Sequence, residues 1–339
     1  MMEQRPIQPT PVGALRFNTD SAKLEYFDGD QYVNITTDSP EANTGGTRSL
    51  WAGGNTPTYF NNIQFVNIST TGDTEDFGDL TRTGNQINAV SSRTRAVFGA
   101  DYKGSGTGTN NTMDFVTIAS TGDAADFGDL TTERSGNQPM QNATRGIFAG
   151  GRDHPAGNSV DVVDYITIAS TGDAVDFGDM NVTARTGTSA CSPTRGVISR
   201  GNPSTNRIEY FTISTLGNGA DFGDATTADS AAVGTSSNAV RGINWTSSYA
   251  PNTDDVIDYI TIATLGNAID FGDMNHISYN GGACCASRTR SVVGGGFDGG
   301  IAEEMEYVQI MTTGNAIDFG NLSQARSEPG AASNGHGGL

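Results

Sequence analysis

Apolar residues in this chain fall in short runs that alternate in places, and no long stretch carries the 3.6-residue spacing of a helix. One kind of run recurs six times. It reads Ile63-Gln-Phe-Val-Asn-Ile68, Met113-Asp-Phe-Val-Thr-Ile118, Val163-Asp-Tyr-Ile-Thr-Ile168, Ile208-Glu-Tyr-Phe-Thr-Ile213, Ile257-Asp-Tyr-Ile-Thr-Ile262 and Met305-Glu-Tyr-Val-Gln-Ile310. β-Branched and aromatic residues dominate these runs, which predicts strands with two unequal faces. Turns of the form Ser-Thr-Gly-Asp or Thr-Leu-Gly-Asn follow, where Gly and Asn or Asp suit positive φ.

Two further markers keep step with these strands. An Asp-Phe-Gly-Asp segment places its aromatic at Phe77, Phe127, Phe177, Phe222, Phe271 and Phe319, at intervals of 50, 50, 45, 49 and 48. An arginine recurs at Arg48, Arg95, Arg145, Arg195, Arg241 and Arg290, in most copies before a short apolar run such as Arg145-Gly-Ile-Phe-Ala-Gly-Gly151. A small-residue strand, as in Thr186-Gly-Thr-Ser-Ala-Cys191, completes a unit of four predicted strands.

Four strands per unit at this period predict an all-β chain folded as a six-bladed β-propeller over residues 47–339. A linear solenoid uses shorter coils and needs caps at its ends. Here the ends are complementary instead. The first unit begins at Thr47-Arg-Ser-Leu-Trp51 without its small-residue strand, and the last runs on through Arg326-Ser-Glu-Pro-Gly-Ala-Ala-Ser-Asn334, which supplies one. The expectation is that Gly330 to Asn334 pairs beside Leu50 to Gly53, leaving no open sheet edge.

The order of small strand, Arg-apolar-Gly strand, [Ile/Val]-[Asp/Glu]-Tyr strand and aromatic strand resembles kelch-type propeller repeats over about residues 47 to 336. Kelch blades usually carry Trp where this chain has Phe. The form Thr-Gly-[Asn/Asp]-Ala-x-Asp-Phe-Gly-[Asp/Asn] resembles repeat proteins of tailed phages, cyanophages among them.

Residues 1–37 lie outside the repeat. Apolar-aromatic runs around Asn18-Thr-Asp-Ser21 and a turn at Asp28-Gly29 predict a hairpin or small meander. Its pattern, Gly13-Ala-Leu-Arg-Phe17 followed by Lys23-Leu-Glu-Tyr-Phe-Asp-Gly29 and Tyr32-Val33, resembles a short module of phage fibre and virion proteins, with Tyr32 where Trp is frequent. An isolated hairpin is marginal in water, so a partner is expected, and Leu15, Phe17, Tyr26, Phe27 and Tyr32 are the candidate assembly residues. Residues 38–46 read as a linker.

Composition narrows the function classes. Net charge is −19, and no basic cluster interrupts it, which argues against nucleic acid and anionic membrane as partners. No apolar run is long enough for a membrane-spanning helix, and the N-terminus lacks a signal-peptide core. Forty-five glycines against 35% hydrophobic residues fit many short strands and turns. Cys191, Cys284 and Cys285 make no disulfide framework, and with His154, His276 and His336 scattered no metal site or cofactor is expected.

Asp76, Asp79 and their counterparts could ligate calcium, but a motif present in every unit reads as scaffold. The repeated arginines are expected to pair with those acids or to cap carbonyls between units. No nucleophile elbow, phosphate loop or His-Glu metal helix is visible. Function is therefore expected where units differ, in the loops after the Gly-ended strand. Tyr59, Tyr102, His154, Trp245 and Tyr249 are the candidate binding residues there.

Taken with the resemblance, these features imply a non-enzymatic virion component, assembled in the host cytoplasm. It is expected to be a tail fibre or receptor-binding protein that meets other virion proteins through residues 1–37 and a host-surface glycan or protein through the propeller, and to self-associate. A capsid or tail decoration protein, a carbohydrate-active propeller enzyme and a generic kelch-like interaction module are the alternatives.

Overall fold

The computed structural model describes residues 11–18, 23–34, 47–55, 57–103, 109–154, 156–229, 233–246, 255–275, 281–297 and 300–339. The protein is all-β, with no helix among the described residues. It divides into two compact units, Met1–Gly45 and Gly46–Leu339. The expected linker, residues 38–46, lies outside the described residues.

In the larger unit the sequence repeats become repeated antiparallel sheets, numbered I to VI by their arginine. Sheet III has the order Gln138–Gln141, Arg145–Ala149, Val162–Thr167, Val175–Asp179. Sheet II repeats this order. In sheet I the first position is taken by the chain's last strand. Gly330–Ser333 pairs antiparallel with Arg48–Ala52, with Gly330 opposite Ala52 and Ser333 opposite Ser49. The complementary ends therefore meet as the sequence predicts.

Unit V departs from four strands per sheet. Its small-residue strand, Val233–Thr235, pairs in parallel with Thr188–Cys191 of unit IV and with Ala283–Ala286 of unit VI, and so joins those two units into one nine-stranded sheet. Gly234 allows this. At φ 132° it brings its α-carbon so near Cys284 that a Cβ would lie 2.2 Å from that carbonyl oxygen.

Within each unit the aromatic strand carries a bulge. Ile63 faces Gly78 and Gln64 faces Asp76, so Phe77 is the extra residue. The bulge turns Phe77 into the core, where its ring meets Phe65 edge-on at 5.9 Å. The same pair recurs in all six units, ending with Tyr307 and Phe319. Arg48 lies over the Phe65 ring at 4.3 Å, and each repeated arginine covers its own ring in the same way.

The repeated polar groups join one unit to the next. Arg48, Arg95, Arg145, Arg195 and Arg241 each donate from Nη1 to the carbonyl of Ile118, Ile168, Ile213, Ile262 and Ile310 in the following unit. The acids of the Tyr strands accept from the preceding unit, as where Asp114 Oδ2 takes Thr81 N at 3.1 Å and Glu306 Oε2 takes Asn275 N at 3.1 Å. The turn residues do likewise. Asp123 Oδ1 accepts from Asp79 N at 3.1 Å, and Gly122 N donates to Phe77 O at 2.8 Å. Each series returns from unit VI to unit I: Ser323 N donates to Gln64 Oε1, Asn321 N to Asp73 Oδ1 and Gly72 N to Phe319 O.

The small-residue strands of units I to IV and VI are buried throughout and gather together. The C-terminal tail crosses one end of them. His336 Nε2 meets Ser91 O at 2.8 Å, Gly337 N donates to Ser237 O at 2.9 Å, and Arg288 Nη2 donates to Leu339 O at 3.4 Å. Thr47 lies at this same end, in contact with Gly335. The loops after the arginine strands lie at the other end, because each such strand runs away from the tail.

The smaller unit is a three-stranded antiparallel sheet of Leu15–Asn18, Lys23–Phe27 and Tyr32–Asn34. Asp28 Oδ1 accepts from the amides of Asp30 and Gln31 and sets its second turn. Arg16 pairs with Glu25 at 2.7 Å and lies over Tyr32, which packs on Phe27. Leu15 faces Tyr26 and Phe17 faces Leu24, and all four are exposed.

Candidate binding site

At the loop end of the larger unit, the residue that leads into the small-residue strand takes positive φ at five described positions. Gln86 has φ 54°, Gly136 64°, Thr186 48°, Gly281 63° and Glu328 53°. Their backbones link in sequence around this end. Gln86 N donates to Glu328 O at 2.9 Å, Gly136 N to Gln86 O at 3.1 Å, Thr186 N to Gly136 O at 2.7 Å and Glu328 N to Gly281 O at 2.8 Å.

At four of these positions the preceding residue pairs outward with a loop. Ser327 pairs with Asn55, Asn85 with Tyr102, Ser135 with Arg152 and Arg185 with Asn202. Asn55 is in turn bridged to Tyr59. This ladder carries Tyr59 and Tyr102 on neighbouring units, with Arg152 on the next.

Scaffold symmetry ends at Glu328. Gly or a neutral side chain stands at the other described ring positions. The Glu328 carboxylate accepts from Gln86 Nε2 at 3.1 Å and from Asn85 Nδ2. Burial pushes this carboxyl up, while Gln86, Arg152 and Arg185 pull it back down. Burial also raises the Tyr59 phenol, with Tyr102 and Glu328 adding to the effect. Arg152 and Arg185 converge on one acceptor, Gly157 O, at 3.4 and 3.2 Å. Arg152 also lies 5.6 Å from the Tyr102 ring centre.

Beneath this end, ion pairs hold the loops in place: Arg82 with Asp101 at 2.6 Å, Arg134 with Asp164 at 3.0 Å and Arg200 with Asp258 at 2.5 Å. Arg326 is buried against Gly53 O and Asn62, and burial lowers its pKa to about 9.

The structure brings Tyr59 and Tyr102 together at this site, both partly exposed, and leaves His154 exposed on the loop that follows Arg152. Trp245 requires a correction. It is fully buried in the strand Arg241–Trp245, with its indole Nε1 donating to Ser291 Oγ at 2.8 Å and Ser236 Oγ at 3.2 Å. It fills the core between units V and VI and offers no surface to a ligand. Tyr249 lies outside the described residues. Glu328, Gln86, Arg152 and Arg185 were not singled out from the sequence, although Glu328 stands in the C-terminal segment where the other described units carry Gln, Gly or Thr.

The thiols are not chemistry in waiting. Burial pushes Cys191 and Cys285 up to about 12 and Cys284 up as well. A cavity of about 220 Å³ lies at the tail end, lined by Val240, Arg288, His336 and Leu339 among others. No protein-family model matches the chain, and no curated protein matches it significantly.

Proposed function

We propose that residues 47–339 form a six-bladed, kelch-like β-propeller, and that the protein is a non-enzymatic component of a tailed-phage particle that binds through the loop end of that propeller. The observation that carries this reading is the cluster of Tyr59, Tyr102, Arg152, Arg185 and Glu328 on a scaffold whose repeated side chains are committed to joining units. A few convergent polar groups beside aromatic rings are the usual composition of a recognition site. A glycosidase needs two carboxylates flanking one bond. The cluster offers Glu328, already engaged by Asn85 and Gln86.

Attachment to other virion proteins falls to the small N-terminal sheet. Leu15, Phe17, Leu24 and Tyr26 make an exposed apolar face there, and such faces mark association surfaces. Phe27 and Tyr32 hold the sheet together from within. Self-association through the same face is part of the proposal.

Two measurements test this. Antibody labelling of purified particles should find the chain on them, and its absence ends the virion reading. Purified protein in excess should compete with particle adsorption to host cells. Labelled particles with unchanged adsorption would turn the role toward capsid or tail decoration.

A further inference from the structure

The side chains at the loop end impose three separate demands on a ligand. Arg152 and Arg185 hold two guanidinium groups on a single carbonyl, Gly157 O. Two guanidiniums face the single carboxylate of Glu328, an excess of positive charge that favours a second anion, and the planar fork of Arg matches a carboxylate. Asn85 is 4% exposed, and its Oδ1 has no hydrogen-bond partner, while its Nδ2 is spent on Glu328. A buried acceptor beside a carboxylate calls for hydroxyl donors. Tyr59 and Tyr102 supply aromatic surface with a polar tip, suited to the C–H face of a saturated ring. An anionic group, several hydroxyls and an aliphatic ring face together describe one ligand class.

We propose that this site binds an acidic saccharide. Arg152 and Arg185 take the sugar carboxylate, Asn85 Oδ1 and Glu328 accept from ring hydroxyls, and the two tyrosines flank the ring. This rests on the reading that the loop end is a binding surface and narrows what it binds.

The test uses the full chain, titrated calorimetrically with a galacturonic acid trisaccharide and with the neutral galactose trisaccharide. The acidic sugar should bind at least tenfold more tightly. Arg152→Gln and Arg185→Gln should each weaken it tenfold or more and leave the neutral sugar unchanged, whereas Tyr102→Ala should weaken both. Thermal denaturation confirms that each variant is folded. Tyr59→Phe, which keeps the ring, provides a milder variant and should weaken binding a few-fold. Equal affinity for the two sugars overturns the proposal, as does an unchanged affinity in both arginine variants. If neither sugar binds but the protein still competes with particle adsorption, the acidic-saccharide proposal fails and the binding-surface reading survives.

Discussion

Arg290 donates from Nη1 to the carbonyl oxygen of Ile68 at 3.0 Å, across 222 residues of chain. The same bond joins each earlier unit to its successor, so this one carries the series from the sixth unit to the first. The guanidinium also covers Tyr307, 4.7 Å from its ring centre. Both contacts depend on a planar, charged group.

Arg290→Gln should therefore destabilise the repeat domain by about 2 kcal/mol, combining a charged hydrogen bond with a cation–π contact. That corresponds to a fall in Tm of roughly 3 °C in a domain of this size. Arg145→Gln, at an internal joint, should cost a similar amount. Urea denaturation monitored by fluorescence checks both. An unchanged midpoint for Arg290→Gln would mean that the first and last units are not held together by this bond.

Gly78 and Gly122 separate backbone strain from crowding. Their φ values are similar, 146° and 152°. A Cβ on Gly122 would meet nothing within 4 Å, whereas one on Gly78 would lie 2.4 Å from Gly122 O in the next unit. Gly122→Ala should cost about 1–3 kcal/mol for conformation alone. Gly78→Ala should cost a further 1–3 kcal/mol or so for the collision. Equal losses in stability would remove close approach between units as the reason for glycine in the Asp-Phe-Gly-Asp segment.

Much of this was legible because repetition supplies its own alignment. The three markers place every Arg, Tyr-strand and Phe, and the complementary ends predict that the strand at Gly330 lies beside Leu50 to Gly53, where it pairs with Ala52. Trp245 was misplaced because unit V lacks the Gly-Gly ending that marks the strand terminus in units I, III and VI. Counting from the arginine would have placed it correctly, since Trp245 follows Arg241 by the same interval that separates Ala52 from Arg48. Glu328 was hidden for a different reason. Positive φ announces itself in sequence through glycine, and three of the ring positions are filled by Gln86, Thr186 and Glu328. Tertiary hydrogen bonds hold that conformation, and those bonds have no local sequence signal.

His336 gives a pH dependence of known sign. Burial disfavours the imidazolium, with Arg93 nearby acting in the same direction, and lowers the pKa from the ordinary 6.5 to about 4. Between those values the unfolded chain binds a proton that the folded chain does not. The contribution is intact above about 6.5 and is lost as pH falls toward about 4, a loss on the order of 3 kcal/mol at the acid end. Asp101 and Glu328 are shifted upward, so they act in the opposite sense. The informative quantity is therefore the difference between the wild-type chain and His336→Gln, followed by urea denaturation from pH 7 to pH 4.5. The variant should lose less stability on acidification. Parallel pH profiles would show that the tail does not keep His336 buried in solution.

Both tryptophans of the chain, Trp51 and Trp245, are fully buried. Their emission should be blue-shifted and resistant to iodide quenching in the folded protein, and should become quenchable in denaturant. Trp245→Phe keeps the ring in the core and removes the Nε1 donor to Ser291 and Ser236. Those two hydroxyls already bond to each other, so neither is left without a partner. The cost should then be modest, about 1 kcal/mol for the lost hydrogen bond. Saccharide binding should be unaffected, because the indole faces the joint between units V and VI and is remote in role from Tyr59 and Tyr102. Iodide-accessible emission that disappears in Trp245→Phe would return this residue to the surface and restore it as a recognition residue.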